Sequence, residues 1–232
     1  MNDQRMSKLV KATLAEQVHT ELRSRIVSGR LAGGTRLLPN ELAEDLGVSP
    51  TPVKEACARL ESDGLVVVSA RRGIVVRRMT IEDIEELYDA RLLLERAAIE
   101  RAFETGRVDD RLISDLQNSF ELHRRHANAE TLDELATALA YDRQFHKTIV
   151  LRAGIGMVSD WHNRILSQTH TVFVSVPGHY ERSVTDHQAI LDALDARSVE
   201  QTLAAIERHL WNSRSNARLL VRRLDQTFAS AG

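Results

Sequence analysis

The stretch Asn40 to Leu65, NELAEDLGVSPTPVKEACARLESDGL, admits few local folds other than two short helices joined by a tight turn. In the first helix Leu42, Ala43 and Leu46 form an inward stripe, and Gly47 can take the left-handed backbone that ends a helix. Ser49 stands at an N-cap and Pro50 at the first helical position, where a missing N–H leaves nothing unpaired. The second helix turns Val53, Ala56, Cys57 and Leu60 inward, so Thr51, Lys54 and Ala58 face outward. This is the arithmetic of a helix-turn-helix, whose second helix lays its N-terminal residues in the major groove of DNA. Helical hairpins that bind nothing share the same local pattern, so the deciding signal lies downstream.

After Gly64, which closes the second helix, come two β-branched runs, Leu65-Val66-Val67-Val68 and Ile74-Val75-Val76, separated by Ala70-Arg71-Arg72-Gly73. They predict a hairpin with a basic tip directly after the recognition helix, in other words a wing. A hairpin that merely covers a small core does not account for two arginines and a glycine at its tip. Those residues suit contact with phosphate or with the minor groove.

Residues 14 to 78 resemble the winged-helix domain of the GntR family of bacterial transcription regulators. LRSRIVSGRLAGGTRL, ELAEDLGVS, TPVKEACARLESDGLV and RRGIVV occur in the order and spacing of that family. The resemblance implies DNA contact at Ser49, Thr51 and Lys54 of the recognition helix and at the wing around Arg72 and Gly73, with Arg71 beside them. Two positions depart from the family pattern. Pro50 stands where Arg is usual and cannot make a charged contact, and Lys54 grips phosphate as a point charge without the fork of the commoner Arg.

A net charge of −2 over 232 residues looks wrong for a DNA-binding chain until it is divided. Residues 1–78 hold 13 Lys and Arg against 9 Asp and Glu, whereas residues 79–232 hold 18 against 24. A basic binding module, 1–78, is thus joined to an acidic partner domain, 79–232. The single cysteine, Cys57, lies on an inward stripe and reads as a small buried hydrophobe in a reducing compartment. There is no apolar leader segment and no run approaching 18 apolar residues, so a cytoplasmic protein without a membrane span is expected.

Residues 1 to 11 are polar. Thr13 can cap a helix running to about Ser28, with Leu14, Val18, Leu22 and Ile26 on one face. Beyond Thr80 every period is helical, with segments expected at about 81–104, 109–127, 130–152, 157–175, 181–195 and 199–226. Thr80 with Asp83 and Ser198 with Gln201 read as capping boxes, and breaks fall at Gly106, Asn128, Gly154 to Gly156, Pro177-Gly178 and Arg197. The expected fold is mainly α: a winged helix-turn-helix with a small β-hairpin wing, followed by an all-α six-helix bundle, whose interior is where such domains build ligand sites.

The inward stripes of that bundle carry polar residues that need partners. One helix runs Leu135, Leu139, Asp142, Phe145, His146, Ile149; His187 precedes Ile190, Leu191 and Leu194; His209 follows Ile206 and sits beside Leu210. A lone histidine on an apolar face is ordinarily a hydrogen-bonded core residue. Three of them with an aspartate are different, because a divalent cation would satisfy all four while an uncompensated buried carboxylate is costly. Arg91 lies inward with Ile84, Leu87, Tyr88 and Glu95. It reads equally as a buried ion pair with Glu95 one turn away or as a ligand-binding group. The other histidines, His123, His126, His162, His170 and His179, are expected at the surface or behind the site, with lining of the cavity as the alternative for His162, Asn163 and Arg164.

Residues 81 to 224 resemble the FCD ligand-binding domain of the FadR branch of GntR regulators, with DxxFH at 142–146, DHQAIL at 186–191 and ERHL at 207–210. Six helices suggest the VanR-like subgroup, and Ile155-Gly156 departs from a common Asn-Pro. The resemblance implies a divalent transition metal, zinc or nickel, on Asp142, His146, His187 and His209, and an effector cavity containing Arg91. It further implies a small carboxylic acid as effector, a homodimer on a two-fold symmetric double-stranded DNA operator, and repression relieved by the acid. A metal-dependent hydrolase and a DNA-binding regulator with a purely structural metal are the alternatives. No separate general base is evident for the first.

Overall fold

The computed structural model describes residues 12–69, 71–174 and 180–229. The polar stretch 1–11, Ala70 at the hairpin tip, the break at Pro177-Gly178 and His179 lie outside the described residues. The chain begins with α1 (Leu14–Val27), started by a reciprocal cap in which the Glu16 N–H donates to Thr13 Oγ1 (3.1 Å) and the Thr13 N–H to Glu16 Oε2 (2.9 Å). Val18, Leu22 and Ile26 are buried as the period requires. Leu14 is not: it is 56% exposed, because the first turn projects past the core and Ala15 takes the inward position.

The helix-turn-helix follows as α2 (Pro39–Leu46) and α3 (Pro50–Ser62), with Gly47 between them at φ 65° in the left-handed region. Val53, Ala56, Cys57 and Leu60 are fully buried, each apolar side chain of Val or Leu size contributing about 1.5–3 kcal/mol by leaving water. Strands β1 (Arg36–Leu37), β2 (Val66–Ser69) and β3 (Gly73–Val76) form an antiparallel sheet in the order β1-β3-β2, with Arg36 opposite Val75 and Val67 opposite Val75 on the other edge. The wing is therefore a three-stranded sheet and not the bare hairpin that the sequence suggests. Two residues of β1 carry no periodicity of their own, and only their pairing with β3 makes them a strand.

Six helices follow among the described residues: α4 (Ile81–Glu104), α5 (Asp110–Arg125), α6 (Leu132–Leu151), α7 (Gly156–Phe173), α8 (Glu181–Asp195) and α9 (Val199–Ala229). The capping box of Thr80 with Asp83 starts α4, and the Gln201 N–H donates to Ser198 Oγ (3.3 Å) at the head of α9. Helix α6 starts two residues later than its apolar period suggests, because Thr131 and Glu134 form a capping box there. The apolar core falls into two main clusters, one drawn from Val18 to Val76 and one from Met79 to Val221. In the helical domain α4 packs on α9, α7 and α6, and α8 packs on α9 and α5, so the inward faces of α4, α6, α7, α8 and α9 meet along one interior. No described helix is long and apolar enough to cross a membrane.

Candidate metal centre and nucleic-acid interface

Helices α6, α8 and α9 bring Asp142, His146, His187 and His209 together, one ligand atom of each lying within 4.8 Å of the others. All four side chains belong to buried residues. The Nε2 of His146 is 3.0 Å from Nε2 of His209 and 3.2 Å from Nε2 of His187, and Asp142 Oδ1 lies 3.4 Å from His187 Nε2. Nitrogens that share one ion at about 2.1 Å are held roughly 3 Å apart, so this spacing suits a common ion.

Two of the four donors, His146 and Asp142, are oriented from behind. Glu95 of α4, fully buried, accepts from His146 Nδ1 through Oε2 (2.8 Å) and from His162 Nε2 through Oε1 (3.0 Å), and Arg91 Nε donates to the same Oε1 (3.0 Å). Desolvation pushes the Glu95 carboxyl up, but His146 and Arg91 outweigh it and hold it well below its ordinary value. The bond to Glu95 requires a proton on His146 Nδ1 and turns its Nε2 to the centre. Asp142, opposed by desolvation, is likewise held well below the usual carboxylate range by its hydrogen bond from His170 and by His146. That bond joins His170 Nε2 to Asp142 Oδ2 at 3.0 Å, and Arg143 Nη1 donates to the other ring nitrogen of His170 at 3.1 Å. An arginine only donates, so the His170 proton must sit on Nε2. Burial pushes His187 well below its ordinary value, with His209 adding to the effect, and burial also lowers His209. Both are therefore neutral near pH 7, the form that ligates.

The donor set fits a divalent transition ion on these grounds. Three Nε2 atoms and a carboxylate oxygen face one point, and His146, whose Nδ1 proton is directed to Glu95, offers its Nε2 there as an acceptor. Among the described residues, His187 Nδ1 and His209 Nδ1 are buried without a hydrogen-bond partner. Asp186 Oδ2 sits 3.7 Å from His209 Nδ1, too far for a hydrogen bond but close enough to favour its N–H.

A cavity of about 340 Å³ opens beside the cluster. Asp142 and His209 border it together with the polar groups of Tyr180, Arg182, Ser183 and Asn212. Arg91 is not part of this lining. It forms the ion pair with Glu95, and Tyr88, whose hydroxyl meets Ser213 Oγ at 2.6 Å, lies against it with the guanidinium carbon 5.2 Å from the ring centre. Its Nη2 is buried with no partner among the described residues.

Sequence reasoning named Glu95 only as a partner for Arg91 and put His162 and His170 at the surface or behind the site. Both histidines are buried on α7 behind the site, the second of those two places, on Glu95 and Asp142. A signal was present: His162, Leu166 and His170 recur at a spacing of four, which is one face of a helix. His123 is also buried, bonded to the Ala138 carbonyl (3.0 Å), while His126 is half-buried.

At the other end of the molecule Ser49, Thr51 and Lys54 are exposed at the start of α3, and the Ser49 side chain makes no capping bond, which leaves its hydroxyl for an external partner. Arg71 and Arg72 are exposed at the wing tip, where Gly73 takes φ 71°. Strand β1 adds an arginine that the sequence did not mark for this role. The Nε of Arg36 lies 3.7 Å from where a Cβ would stand on Gly73, and Arg36, Arg71, Arg72 and Arg77 share the wall of one groove of about 650 Å³.

Among known protein families, residues 14–76 match the bacterial regulatory proteins of the gntR family and residues 86–212 match the FCD domain. The gluconate operon transcriptional repressor of Bacillus licheniformis is 32% identical over 186 residues, covering 79% of this chain and 74% of that protein. Its Bacillus subtilis (strain 168) counterpart is 34% identical over 188 residues with the same coverage. Among solved structures, Escherichia coli McbR/YncC superposes with a TM-score of 0.77 at 21% identity, covering 92% of this chain and all of that one. A GntR regulator from Rhodococcus sp. RHA1 has the same score at 24% identity, covering 88% and 96%. At these identities the structures establish the fold.

Proposed function

The chain belongs to the GntR family of bacterial transcriptional regulators and carries an FCD domain; from that premise we propose a repressor that binds a two-fold symmetric operator as a homodimer and answers to a small carboxylic acid bound beside a divalent transition metal. The family and the relatives are DNA-binding regulators and not enzymes, which removes the hydrolase alternative. The division of labour proposed is residues 1–78 for DNA and residues 79–232 for metal, effector and dimerisation, in the cytoplasm.

The observation that carries the sensing half is the convergence of Asp142, His146, His187 and His209 on one point at the edge of a polar cavity. Zinc or nickel on this donor set would supply a Lewis-acidic position for a carboxylate oxygen. Asp142 and His209 border the cavity, so an acid entering it meets the site directly. Ser183 and Asn212 offer hydrogen bonds to hydroxyl groups on such an acid, and Arg182 offers a charge. Arg91 enters the proposal through its partnerless Nη2, which a carboxylate reaching past Ser213 would satisfy. The gluconate operon in the names of two relatives points the same way, gluconate being a hydroxy acid.

The acid is tested by titrating gluconate and other small hydroxy acids against the zinc-loaded protein on a duplex selected from a random pool. At least one acid is expected to release the DNA, and stripping the ion is expected to abolish that release. Release by the same acid at the same concentration without the ion would reduce the metal to a structural part.

Operator contact is assigned to Ser49, Thr51, Lys54, Arg71, Arg72 and Gly73. Each neutralised phosphate frees counterions, so Lys54→Ala or Arg72→Ala should weaken binding across sequences and flatten the plot of log affinity against log salt by roughly 0.9 per lost contact. Identical salt slopes in wild type and both variants would remove these residues from the DNA face. Two half-sites require two recognition helices. Sedimentation should therefore find two chains per operator, and a single bound chain would refute the dimer.

A further inference from the structure

Helix α7 stands between the candidate metal centre and the DNA-binding module, with different residues committed to each side. Towards the centre, His162 holds Glu95 Oε1 (3.0 Å) and His170 holds Asp142 Oδ2 (3.0 Å). On the opposite face Ser167 Oγ accepts from Arg23 of α1 while donating to the Asn163 carbonyl (2.7 Å). Arg164 Nε lies 3.5 Å from Asp63 Oδ1, and Asp63 is the C-cap of the recognition helix α3, tied through Oδ2 to His19 of α1 (2.8 Å). Gln168 fits against Gly64 so closely that a Cβ there would stand 2.7 Å from its amide nitrogen, and Gly64 at φ 72° turns the chain from α3 into the wing. Positions 162, 166 and 170 share one face by the helical period, and 164, 167 and 168 share the other.

We propose that α7 is the element through which occupancy of the metal and effector site is conveyed to the DNA-binding module, with His162 and His170 as positioning residues on one face and Arg164, Ser167 and Gln168 as the grip on the other. This rests on the sensing function proposed above. The residues behind Asp142 make the link directional. Arg143 donates to one nitrogen of His170, so the other can only donate to Asp142 Oδ2. Any shift of the Asp142 carboxylate towards an ion at Oδ1 must then carry His170 with it or break a buried hydrogen bond. Glu95 makes the same demand on His162 when His146 moves. Two attachment points eight residues apart on one rigid helix define a displacement of the whole helix, and its far face bears on the end of the recognition helix. Packed elements convert small shifts of this kind into discrete repositioning.

Linkage supplies the test, because coupling between two sites is reciprocal and can be read from either one. Zinc affinity of the full-length protein is measured with and without the selected duplex. Wild type should show a difference of about 5–150-fold between the two conditions. The double variant Arg164→Gln/Ser167→Ala touches neither the ion nor the DNA. It should keep both separate affinities within about threefold while its coupling falls below about threefold, and Arg23→Gln should do the same from the other side of the contact. On the site face, His170→Gln should lower zinc affinity roughly 10–100-fold, since it removes the group that orients a ligand. Coupling that survives in the double variant and in Arg23→Gln overturns the relay and leaves the metal site standing. Unchanged zinc affinity in His170→Gln overturns the positioning role. A wild-type protein that binds neither zinc nor nickel refutes the sensing function itself, a result that the variants cannot imitate.

Discussion

Replacing Glu95 with Ala should cost about 3–5 kcal/mol of stability, which for a domain of this size lowers Tm by roughly 6–20 °C. The size of the loss comes from what is left behind. Arg91 is 1% exposed and its ion-pair partner is Glu95, so the truncation strands a guanidinium in the core, along with donors on His146 and His162. Glu95→Gln separates stability from ligation. It preserves the volume but can no longer accept from both imidazoles and the guanidinium at once, so His146 loses the partner that fixes its tautomer. Zinc affinity should drop roughly 10–100-fold while the fold survives. Thermal denaturation of the apo proteins and a competitive zinc titration separate the two effects. A Glu95→Ala variant melting within about 2 °C of wild type would mean that the Arg91–Glu95 pair contributes nothing, against everything its burial implies.

Zinc or nickel should stabilise the helical domain by about 2.7 kcal/mol at a free concentration about one hundred times Kd, which raises Tm by roughly 5–11 °C. The reason is that the donors come from three helices and meet only when the chain is folded, so the ion binds the native state alone. Chelation should reverse the shift. His187→Ala should melt at the same temperature with and without the ion, and it should fail to respond to acid while operator binding persists. A wild-type melting temperature indifferent to saturating zinc and nickel would leave the cluster as a polar core without a ligand.

The helix-turn-helix could be read residue by residue because its signals are local: Gly47, Ser49-Pro50 and the stripe Val53, Ala56, Cys57, Leu60 each constrain the few residues around them. The convergence of Asp142, His146, His187 and His209 could be read as well, since polar groups on apolar stripes demand a partner. What escaped depends on contacts between distant parts of the chain. Strand β1 exists only because Arg36 and Leu37 pair with Val75 and Ile74. Glu95 announced one partner, Arg91, and its two imidazole partners arrive from α6 and α7. The facing of His162 and His170 was obscured by the start of α7, where Ile155 makes no side-chain cap and Gly156 opens the helix. Leu14 failed for the opposite reason: its period was correct, but no partner surface among the described residues reaches that far.

The junction between sheet and bundle also matters to anyone who cuts and rejoins such chains. Arg77 follows β3 directly and pairs with Asp83, Met79 is buried in the bundle core, and Thr80 caps the first helix through the same Asp83. Only four residues, 77 to 80, separate the last strand from α4, and all of them are committed to one side or the other. A chimera spliced at residue 78 or 79 would therefore not exchange one bead on a string for another. It would part Arg77 from Asp83, and whatever orientation the new head adopted would be set by the scar. Grafts that carry residues 77 to 83 across as one block keep that joint whole, and a foreign reader must also offer α7 the partners that Arg23, Asp63 and Gly64 supply here.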